Sequence, residues 1–390
     1  MVGPLRRRLP LLAPLAALAA FAAPAAACPF CSMQGQTLTG EVAGADMVLY
    51  GSLANANQDK ETTDLVIDAV VKKHPWLKDQ KRVTLPKYLG PDATSDYKFL
   101  VFCYVVKNSQ IDPYRGIALK ANSDIVKYLA GLTEVKDKPV GERLKFFFNY
   151  LDNADTEISN DAFKEFANAD YKDYKDMAKG LPPDKIAGWL NDQSTAGYRF
   201  GLYGSLLGHC GKDEHAKVLR DLLENPKRRL SSGVDGVLAG YILLRPKEGW
   251  EYAKGLMADP KQDFLLRYAA LRTARFFWTY RPDVVDKKEL AQGAASLLSQ
   301  KDIVDLAVDD LRKWEQWDVT DRVLALQGTE AYKELPVVRR AVLKYMLACQ
   351  GAKDAGANAA AAGAYVEAQR KANGQAVAEA EELLKLDGGK

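Results

Sequence analysis

The residues best suited to chemistry in this sequence are two cysteines near its start, in the run Cys28-Pro29-Phe30-Cys31. Two cysteines separated by two residues can form a local disulfide and exchange it with other thiols, often because one thiol pKa is depressed. Residue 32 is serine, whereas attachment of a c-type haem requires histidine there. The run therefore indicates either thiol–disulfide chemistry or a structural disulfide. Which role it has depends on how the surrounding strands and helices position the two cysteines.

The segment before these cysteines has the pattern of a secretory signal peptide. Three arginines at positions 6–8 precede Leu11–Ala27, which contains only Leu, Ala, Pro and Phe. This pattern predicts cleavage after residue 27 and export to the periplasm, the cell envelope or the extracellular space. Lipidation of Cys28 is an alternative, but Ala25 and Pro29 do not fit the usual acceptor sequence. No later run reaches the ~18 apolar residues of a membrane-spanning helix.

The charge balance bears on the kind of partner. The 390 residues include 54 basic and 51 acidic ones, and three of the basic residues lie in the acid-free segment 1–27. The remaining chain is therefore neutral, which argues against a nucleic-acid partner. No phosphate-binding glycine motif and no nucleophile elbow is present, so no cofactor is expected.

The other cysteines are Cys103, Cys210 and Cys349. Exported proteins usually oxidise their cysteines in pairs, and Cys103 lies in the most apolar strand-like run. We expect a disulfide between Cys31 and Cys103, with Cys28 as the alternative partner. Closing a loop of about 70 residues would contribute roughly 4 kcal/mol. Cys210 and Cys349 lie in apolar helical runs and are expected to be buried free thiols.

Residues 28–132 have the pattern of a small β-rich domain. Five strand-like runs are separated by turn-rich segments, and a helical stretch lies at each end, over 37–45 and 122–132. This pattern favours a small Greek-key barrel of the OB type. The expected strands are Asp46–Leu53, Asp64–Val71, Arg82–Leu85, Tyr97–Val106 and Tyr114–Leu119.

Residues 139–350 have helical periodicity throughout, with Ser159 or Asn160 as the expected cap of a helix that ends at Ala169. Compact apolar helices recur, and spacings of 33, 31, 38 and 35 residues separate their centres. Such spacing is typical of HEAT-like helical repeats, while an irregular all-α domain is the alternative. The centres are Leu206, Ala239, Ala270, Val308 and Leu343.

The last segment, 351–390, has a different composition. It holds 13 alanines but few large apolar residues, and glycines interrupt it. Its helix propensity is high, yet it offers little surface for packing. We expect an Ala-rich helical or mobile tail.

Metal and acid–base chemistry have little support in the sequence. There are three histidines, and His209 and His215 lack the i,i+4 spacing of a helical zinc site. His209 and Cys210 are adjacent on a helix and point about 100° apart. The carboxylates are scattered, so neither a metal site nor catalytic residues are predicted.

Aromatic residues are dense over 198–280, and most of them must form a helical core. Some could line a concave binding surface, since helical repeats bind partners along such faces. Tyr198, Arg199 and Tyr203 are predicted as exposed contacts because Tyr and Arg are favoured at binding hot spots.

Two family resemblances follow from these residues. The runs 27–53 ("ACPFCSMQGQTLTGEVAGADMVLYGSL"), 62–86 and 97–105 ("YKFLVFCYV") resemble the netrin-module and tissue-inhibitor-of-metalloproteinases superfamily, which is OB-like. The runs 158–173 and 201–211 ("GLYGSLLGHCG"), with "VLKYMLAC", are similar to exported bacterial proteins of uncharacterised function that join such a domain to HEAT-like helices.

The first resemblance implies a binding mode for the mature N-terminus. In those inhibitors the first cysteine chelates the zinc of the target enzyme through its α-amino group and carbonyl. Here Cys28, Pro29 and Phe30 would occupy that position, although Cys-x-x-Cys replaces Cys-x-Cys and far fewer cysteines are present.

The sequence therefore predicts a multidomain β + α protein, an OB/netrin-like barrel followed by a HEAT-like α-solenoid. The favoured function is non-enzymatic protein binding or scaffolding outside the cytoplasm. Thiol–disulfide exchange through Cys28 and Cys31 is the first alternative, and inhibition of a metalloproteinase through Cys28 is the second. The protein partner itself is not identified by any motif.

Overall fold

A computed structural model describes residues 28–31, 33–90, 96–106 and 110–388. The expected signal peptide, 1–27, lies outside the described residues. In the described part, a five-stranded antiparallel sheet comes first and a long succession of helices follows. The coarse prediction of a β-rich part followed by an α-helical part is therefore confirmed.

The five strands overlap the five predicted runs, although β1 ends four residues later and β5 begins four residues earlier than expected. β1 pairs with both β2 and β4, β2 pairs with β3, and β4 pairs with β5, so the spatial order is β3-β2-β1-β4-β5. The two edge strands, β3 and β5, approach each other to within 8 Å between Cα atoms. The strands are β1 (Met47–Asn57), β2 (Thr62–Lys72), β3 (Arg82–Leu85), β4 (Tyr97–Val106) and β5 (Gln110–Lys120).

The sheet is buried on both faces, and β4 shows how. Side chains alternate along a strand, so Leu100 and Phe102 face one side while Val101 and Cys103 face the other. Leu100 and Phe102 join the large apolar cluster that continues into the helices. Val101 and Cys103 join a separate cluster to which all five strands contribute. The members of that second cluster are Met47, Leu49, Leu53, Leu65, Leu77, Val83, Leu85, Val101, Cys103 and Ile111.

Helices flank the sheet and then extend away from it. The helix expected to begin near Ser159 starts earlier, because the Asp155 carboxylate accepts a hydrogen bond from the Glu157 amide and caps it. The helices up to the last expected repeat are α1 (Leu38–Gly44), α2 (Ile125–Val135), α3 (Val140–Phe148), α4 (Thr156–Asn168), α5 (Tyr171–Ala178), α6 (Pro183–Asn191), α7 (Phe200–Cys210), α8 (Asp213–Glu224), α9 (Val234–Leu244), α10 (Pro246–Ala258), α11 (Phe264–Tyr280), α12 (Lys287–Ala295), α13 (Val304–Lys313), α14 (Thr320–Ala325), α15 (Glu330–Glu334) and α16 (Pro336–Gly351).

The central helices form two layers. α5, α7, α9 and α11 contact one another in succession, while α6 contacts α8 and α10 contacts α12 in a second layer. Helices of the second layer also pack on those of the first, as α8 does on α9 and α10 does on α11. The arrangement is repeat-like, with each helix contacting its neighbours.

The Ala-rich end of the chain is helical and docked. α17 (Ala357–Ala372) and α18 (Gly374–Gly388) both pack on α16, and Tyr332 and Tyr365 share a hydrogen bond of 2.6 Å between their hydroxyls. The sequence predicted a helical or mobile tail, and its described residues are helical. Among the described helices, none is both long enough and apolar enough to cross a membrane.

A seam of glycines brings α7 and α9 into backbone contact. Gly204 and Gly208 on α7 face Val237 and Gly240 on α9; a Cβ atom at Gly204 would lie 2.6 Å from the Val237 Cα. A Cβ atom at Gly208 would lie equally close to the Gly240 Cα. Real Cβ atoms do not approach so closely, so only glycine permits this helix packing. We call this contact the glycine seam.

Adding one methyl group to the glycine seam is expected to destabilise the fold. Gly204→Ala should lower the free energy of unfolding by about 2–3 kcal/mol, because the backbone of α9 must move. Gly255→Ala in α10 is the control, since its Cβ would meet no atom within 4 Å. Helix propensity should make that control neutral or more stable by about 0.5–1 kcal/mol. Urea unfolding measures both, and equal effects would contradict the seam.

A buried carboxylate joins the sheet region to the helices. Asp161 on α4 accepts hydrogen bonds from the Leu38 amide of α1 (2.6 Å) and the Tyr128 hydroxyl of α2 (2.7 Å). Burial raises the pKa of Asp161 to about 6, although both hydrogen bonds act in the opposite direction. Asp161 therefore connects α1, α2 and α4, and its burial makes the charged form of the carboxyl group unfavourable.

The stability contribution of Asp161 should depend on pH. Its folded pKa of about 6 exceeds the unfolded value of 3.8, so the folded state binds the extra proton between these values. Stability from this group is therefore greatest below pH 4 and declines as the pH rises through 6. The decline should be roughly 1–3 kcal/mol in wild type and absent in Asp161→Asn. Urea unfolding at pH 4.5 and 7.5 measures it, and identical pH slopes would contradict the assignment.

Candidate functional site

The Cys28-Pro29-Phe30-Cys31 run forms a tight turn closed by a disulfide between its own two cysteines. The Cα atoms of Cys28 and Cys31 are 5.5 Å apart, and the Cys31 amide donates to the Cys28 carbonyl at 3.3 Å. Cys28 is only 2% exposed, whereas Cys31 is half-buried. One sulfur is thus anchored in the protein and the other lies nearer the solvent. We call these four residues the cysteine turn.

The expected disulfide to Cys103 is not formed in this structure. Cys103 is a free thiol and belongs to the apolar cluster to which all five strands contribute. Cys28 belongs to the large apolar cluster on the other face of the sheet, which continues into the helices. The prediction used the apolar character of β4 but not the alternation of its side chains. Successive residues of a strand point to opposite faces of the sheet, so Cys103 faces away from the side that Phe102 faces. Burial raises the pKa of Cys103 to about 12. A cysteine on the far face cannot reach the cysteine turn.

Phe30 anchors the cysteine turn in an aromatic cluster. Its side chain is 3% exposed, and its ring centroid lies 4.7 Å from that of Phe276 on α11. Phe276 in turn contacts Tyr171 and Tyr280, and Tyr171 shares a hydrogen bond of 3.1 Å with His209. Burial and the positive charge of Arg281 lower the pKa of His209 to about 4. The cluster beneath the turn is therefore largely apolar and neutral near pH 7.

Backbone contacts fix the cysteine turn from two further sides. The Cys28 amide donates to the Ala167 carbonyl of α4 at 3.1 Å. A Cβ atom at Gly201, the first glycine of α7, would overlap the Phe30 carbonyl oxygen, so the turn rests directly on the α7 backbone. Gly201 also approaches Gly233, whose φ of +87° requires glycine before α9. Gly201, which lies one helical turn before Gly204, therefore supports the cysteine turn.

An ion pair lies beside the turn. Arg272 on α11 donates to the Pro29 carbonyl at 3.4 Å, and its guanidinium lies 2.8 Å from the Asp235 carboxylate of α9. That short contact lacks hydrogen-bond geometry at Asp235 Oδ2, so it is a charge contact rather than a directed bond. Burial raises the pKa of Asp235, and Arg272 opposes that shift. Arg272 thus links a buried charge to the backbone of the cysteine turn.

Arg272 is also one wall of an open cleft of about 350 Å³ between the loop before α9 and the first turns of α11. Leu230 and Leu265 line this cleft and are exposed to solvent, Leu265 at 52%. Tyr268 also lines the cleft and is half-buried. Arg229 also lines the cleft and forms no ion pair within the described residues. We call it the α9–α11 cleft.

The residues predicted as exposed contacts are internal. Arg199 and Tyr203 are buried, and Tyr198 is half-buried. The Arg199 guanidinium donates to the Leu151 carbonyl (2.9 Å) and to the Asn160 side chain (2.8 Å), which also accepts from the Tyr198 hydroxyl. The prediction of a contact surface there is wrong, because these side chains satisfy buried backbone groups instead.

In the part of the chain that the structure describes, the remaining candidate groups lie apart from one another. Cys210 is half-buried, and burial raises its pKa to about 11, while Cys349 is buried in α16. His215 contacts Asp184 at 3.1 Å, far along the chain from His74. Within the described ranges, no three His, Cys, Asp or Glu side chains are grouped so as to hold a metal ion.

The glycines between α7 and α9 and the Arg272–Asp235 ion pair were not predicted from the sequence. The glycines could have been found from their spacing. Gly201, Gly204 and Gly208 recur as Gly233, Gly236 and Gly240, with an offset of 32 residues. That repeat predicts two helices crossing through glycines. Nothing comparable singles out Arg272 or Asp235, which resemble many other charged residues on the helices.

Comparison of the chain with protein-family models, with curated proteins and with solved structures finds no match in any of the three. The netrin-like and HEAT-like resemblances thus stay predictions. What supports a function is the geometry of the cysteine turn and of the residues packed around it.

Removing the Phe30 anchor should expose the disulfide. Phe30→Ala is expected to speed its reduction by dithiothreitol about tenfold or more, because local opening of the turn then costs less. Tyr104→Ala is the control, since Tyr104 on β4 is exposed and its ring stacks on Tyr114 of β5, with centroids 4.3 Å apart. Alkylation followed by mass spectrometry gives both rates. Equal reduction rates for Phe30→Ala and wild type would contradict the anchoring role.

Proposed function

We propose that the protein is an exported thiol–disulfide exchange protein whose reactive group is the Cys28–Cys31 disulfide. The observation that carries this proposal is the local pairing of the two cysteines. Closing a four-residue turn stabilises a fold by only roughly 2 kcal/mol in loop entropy, about half of what a 70-residue loop would contribute. A disulfide that joins no distant segments has less structural purpose, which favours chemistry.

The half-buried Cys31 is the sulfur open to attack. A substrate thiolate bonds to Cys31 Sγ, the Cys28–Cys31 bond breaks, and its electron pair goes to Cys28 Sγ, which takes up a proton. A second substrate thiolate then attacks the substrate sulfur of the mixed disulfide and releases Cys31 as a thiolate. The substrate is oxidised by two electrons and the turn is reduced by two. A low-molecular-weight disulfide such as oxidised glutathione restores the turn.

The finer architecture belongs to the same proposal. We infer an OB-like barrel from the order β3-β2-β1-β4-β5, the approach of the two edge strands and the apolar cluster fed by all five strands. The layered helices support a HEAT-like array. Together they resemble the exported bacterial proteins that couple such parts, and the array provides the seat for the cysteine turn.

Export and processing agree with this chemistry. Residues 1–27 have the signal-peptide pattern, and compartments outside the cytoplasm favour disulfides. Lipidation of Cys28 would occupy the sulfur that pairs with Cys31, so the disulfide and the lipid anchor are mutually exclusive. The paired geometry therefore favours the unlipidated form.

The inhibitor-like alternative receives less support. Zinc chelation would need both the nitrogen and the carbonyl oxygen of Cys28. That nitrogen donates to the Ala167 carbonyl, and that oxygen accepts from the Cys31 amide. Chelation of a target zinc would require both contacts to break and the turn to leave its seat.

Non-enzymatic protein binding is the second candidate. It is favoured by the exposed apolar residues of the α9–α11 cleft, Leu230 and Leu265, since such side chains mark binding sites when they cluster. In that case the disulfide would only brace the cysteine turn. The two candidates differ in whether thiols of another protein react with Cys31.

Substitution of Cys31, the less buried cysteine of the turn, tests the exchange function. Wild type in a glutathione redox buffer should accelerate oxidative refolding of reduced ribonuclease, and Cys31→Ser should lose this effect. Cys210→Ser is the control, because Cys210 is also half-buried but has a pKa raised to about 11. Recovery of ribonuclease activity is the readout. Equal acceleration by Cys31→Ser, or none by wild type, would reject the exchange function in favour of protein binding.

A further inference from the structure

We propose that the α9–α11 cleft binds the substrate of the cysteine turn, a short extended polypeptide segment with apolar and acidic residues beside its cysteine. This inference rests on the proposed exchange function and specifies its substrate class. Arg272 lines the cleft and contacts the Pro29 carbonyl of the turn, so the two features adjoin. A segment held in the cleft therefore lies beside the Pro29 carbonyl, within the turn that the disulfide closes.

The walls of the cleft suit apolar side chains. Leu230 and Leu265 line it and are exposed to solvent, and Tyr268 adds a half-buried aromatic side chain. A volume of about 350 Å³ is at the small end of ligand sites, enough for a few side chains. The cleft therefore fits a short segment of an extended chain rather than a folded domain.

The charge of the cleft selects among such segments. Its charged lining residues are Arg229, Asp235 and Arg272. Asp235 is buried and contacts Arg272, while Arg229 forms no ion pair with any residue in the described parts of the chain. The accessible charge is thus positive, which complements a carboxylate on the substrate. A basic segment would meet uncompensated repulsion at Arg229.

Exchange with peptides of defined composition tests this inference on the full chain. Three eight-residue peptides, each with one cysteine, carry Leu with Asp, Leu with Lys, or Ser with Asp as neighbours. Mass spectrometry gives the rate at which each forms a mixed disulfide with Cys31. Dividing by the rate for 2-mercaptoethanol, a neutral thiol, removes differences in the reactivity of the disulfide itself.

Wild type should prefer the Leu–Asp peptide over Leu–Lys about threefold to fivefold, as expected for one exposed charge pair. It should prefer Leu–Asp over Ser–Asp about tenfold. Arg229→Glu should reverse the charge preference, which a merely structural role would not do. Leu265→Asp should abolish the apolar preference, whereas Val337→Asp on α16, a matched residue 48% exposed, should keep it.

The outcomes separate the two proposals. If 2-mercaptoethanol reacts with the wild-type disulfide but the three peptides give equal relative rates, the cleft inference is wrong and the exchange function stands. If neither 2-mercaptoethanol nor any peptide reacts, the exchange function fails and the inference with it. An unchanged preference for Leu–Asp over Leu–Lys in Arg229→Glu also overturns the assignment of the cleft.

Discussion

The close packing of α7 on α9 is the constraint on which the rest of the site depends. Glycines on both helices remove the side chains that would hold the backbones apart, and the space at the end of the seam receives the Phe30 carbonyl. α11 packs on α9 and supplies Phe276 and Arg272, which fix the ring and the backbone of the turn. The seat of the disulfide is therefore built by three helices of one layer together with α4.

That seat divides the two sulfurs by environment. Cys28 is buried and its amide donates a hydrogen bond to α4, whereas Cys31 is half-buried. An anchored residue beside a more exposed one suits directed exchange, because attack then occurs at a defined sulfur. Burial raises the pKa values of the free thiols of Cys103 and Cys210, which disfavours the reactive thiolate near neutral pH.

Much of the fold was predictable from local patterns, and the site was not. A short strand-like run and a nearly continuous apolar run placed β3 and β4 at the residues observed, and helical spacing located α7, α9 and α11. The disulfide prediction failed because β4 is apolar on both faces, so its composition did not reveal that Cys103 points away from Cys28. Arg199 and Tyr203 were misassigned because a buried polar network uses the residue types of a binding surface. Both errors concern side-chain direction in three dimensions, which composition does not encode.

The most direct test of the exchange function is peptide mapping of the folded protein after equilibration in glutathione buffers of graded redox potential. Cys28 and Cys31 should be linked only to each other, this bond should open and close reversibly, and Cys103 should stay a thiol throughout. A bond from Cys103 to either cysteine, or a Cys28–Cys31 bond that no glutathione buffer reduces in the folded protein, would contradict it.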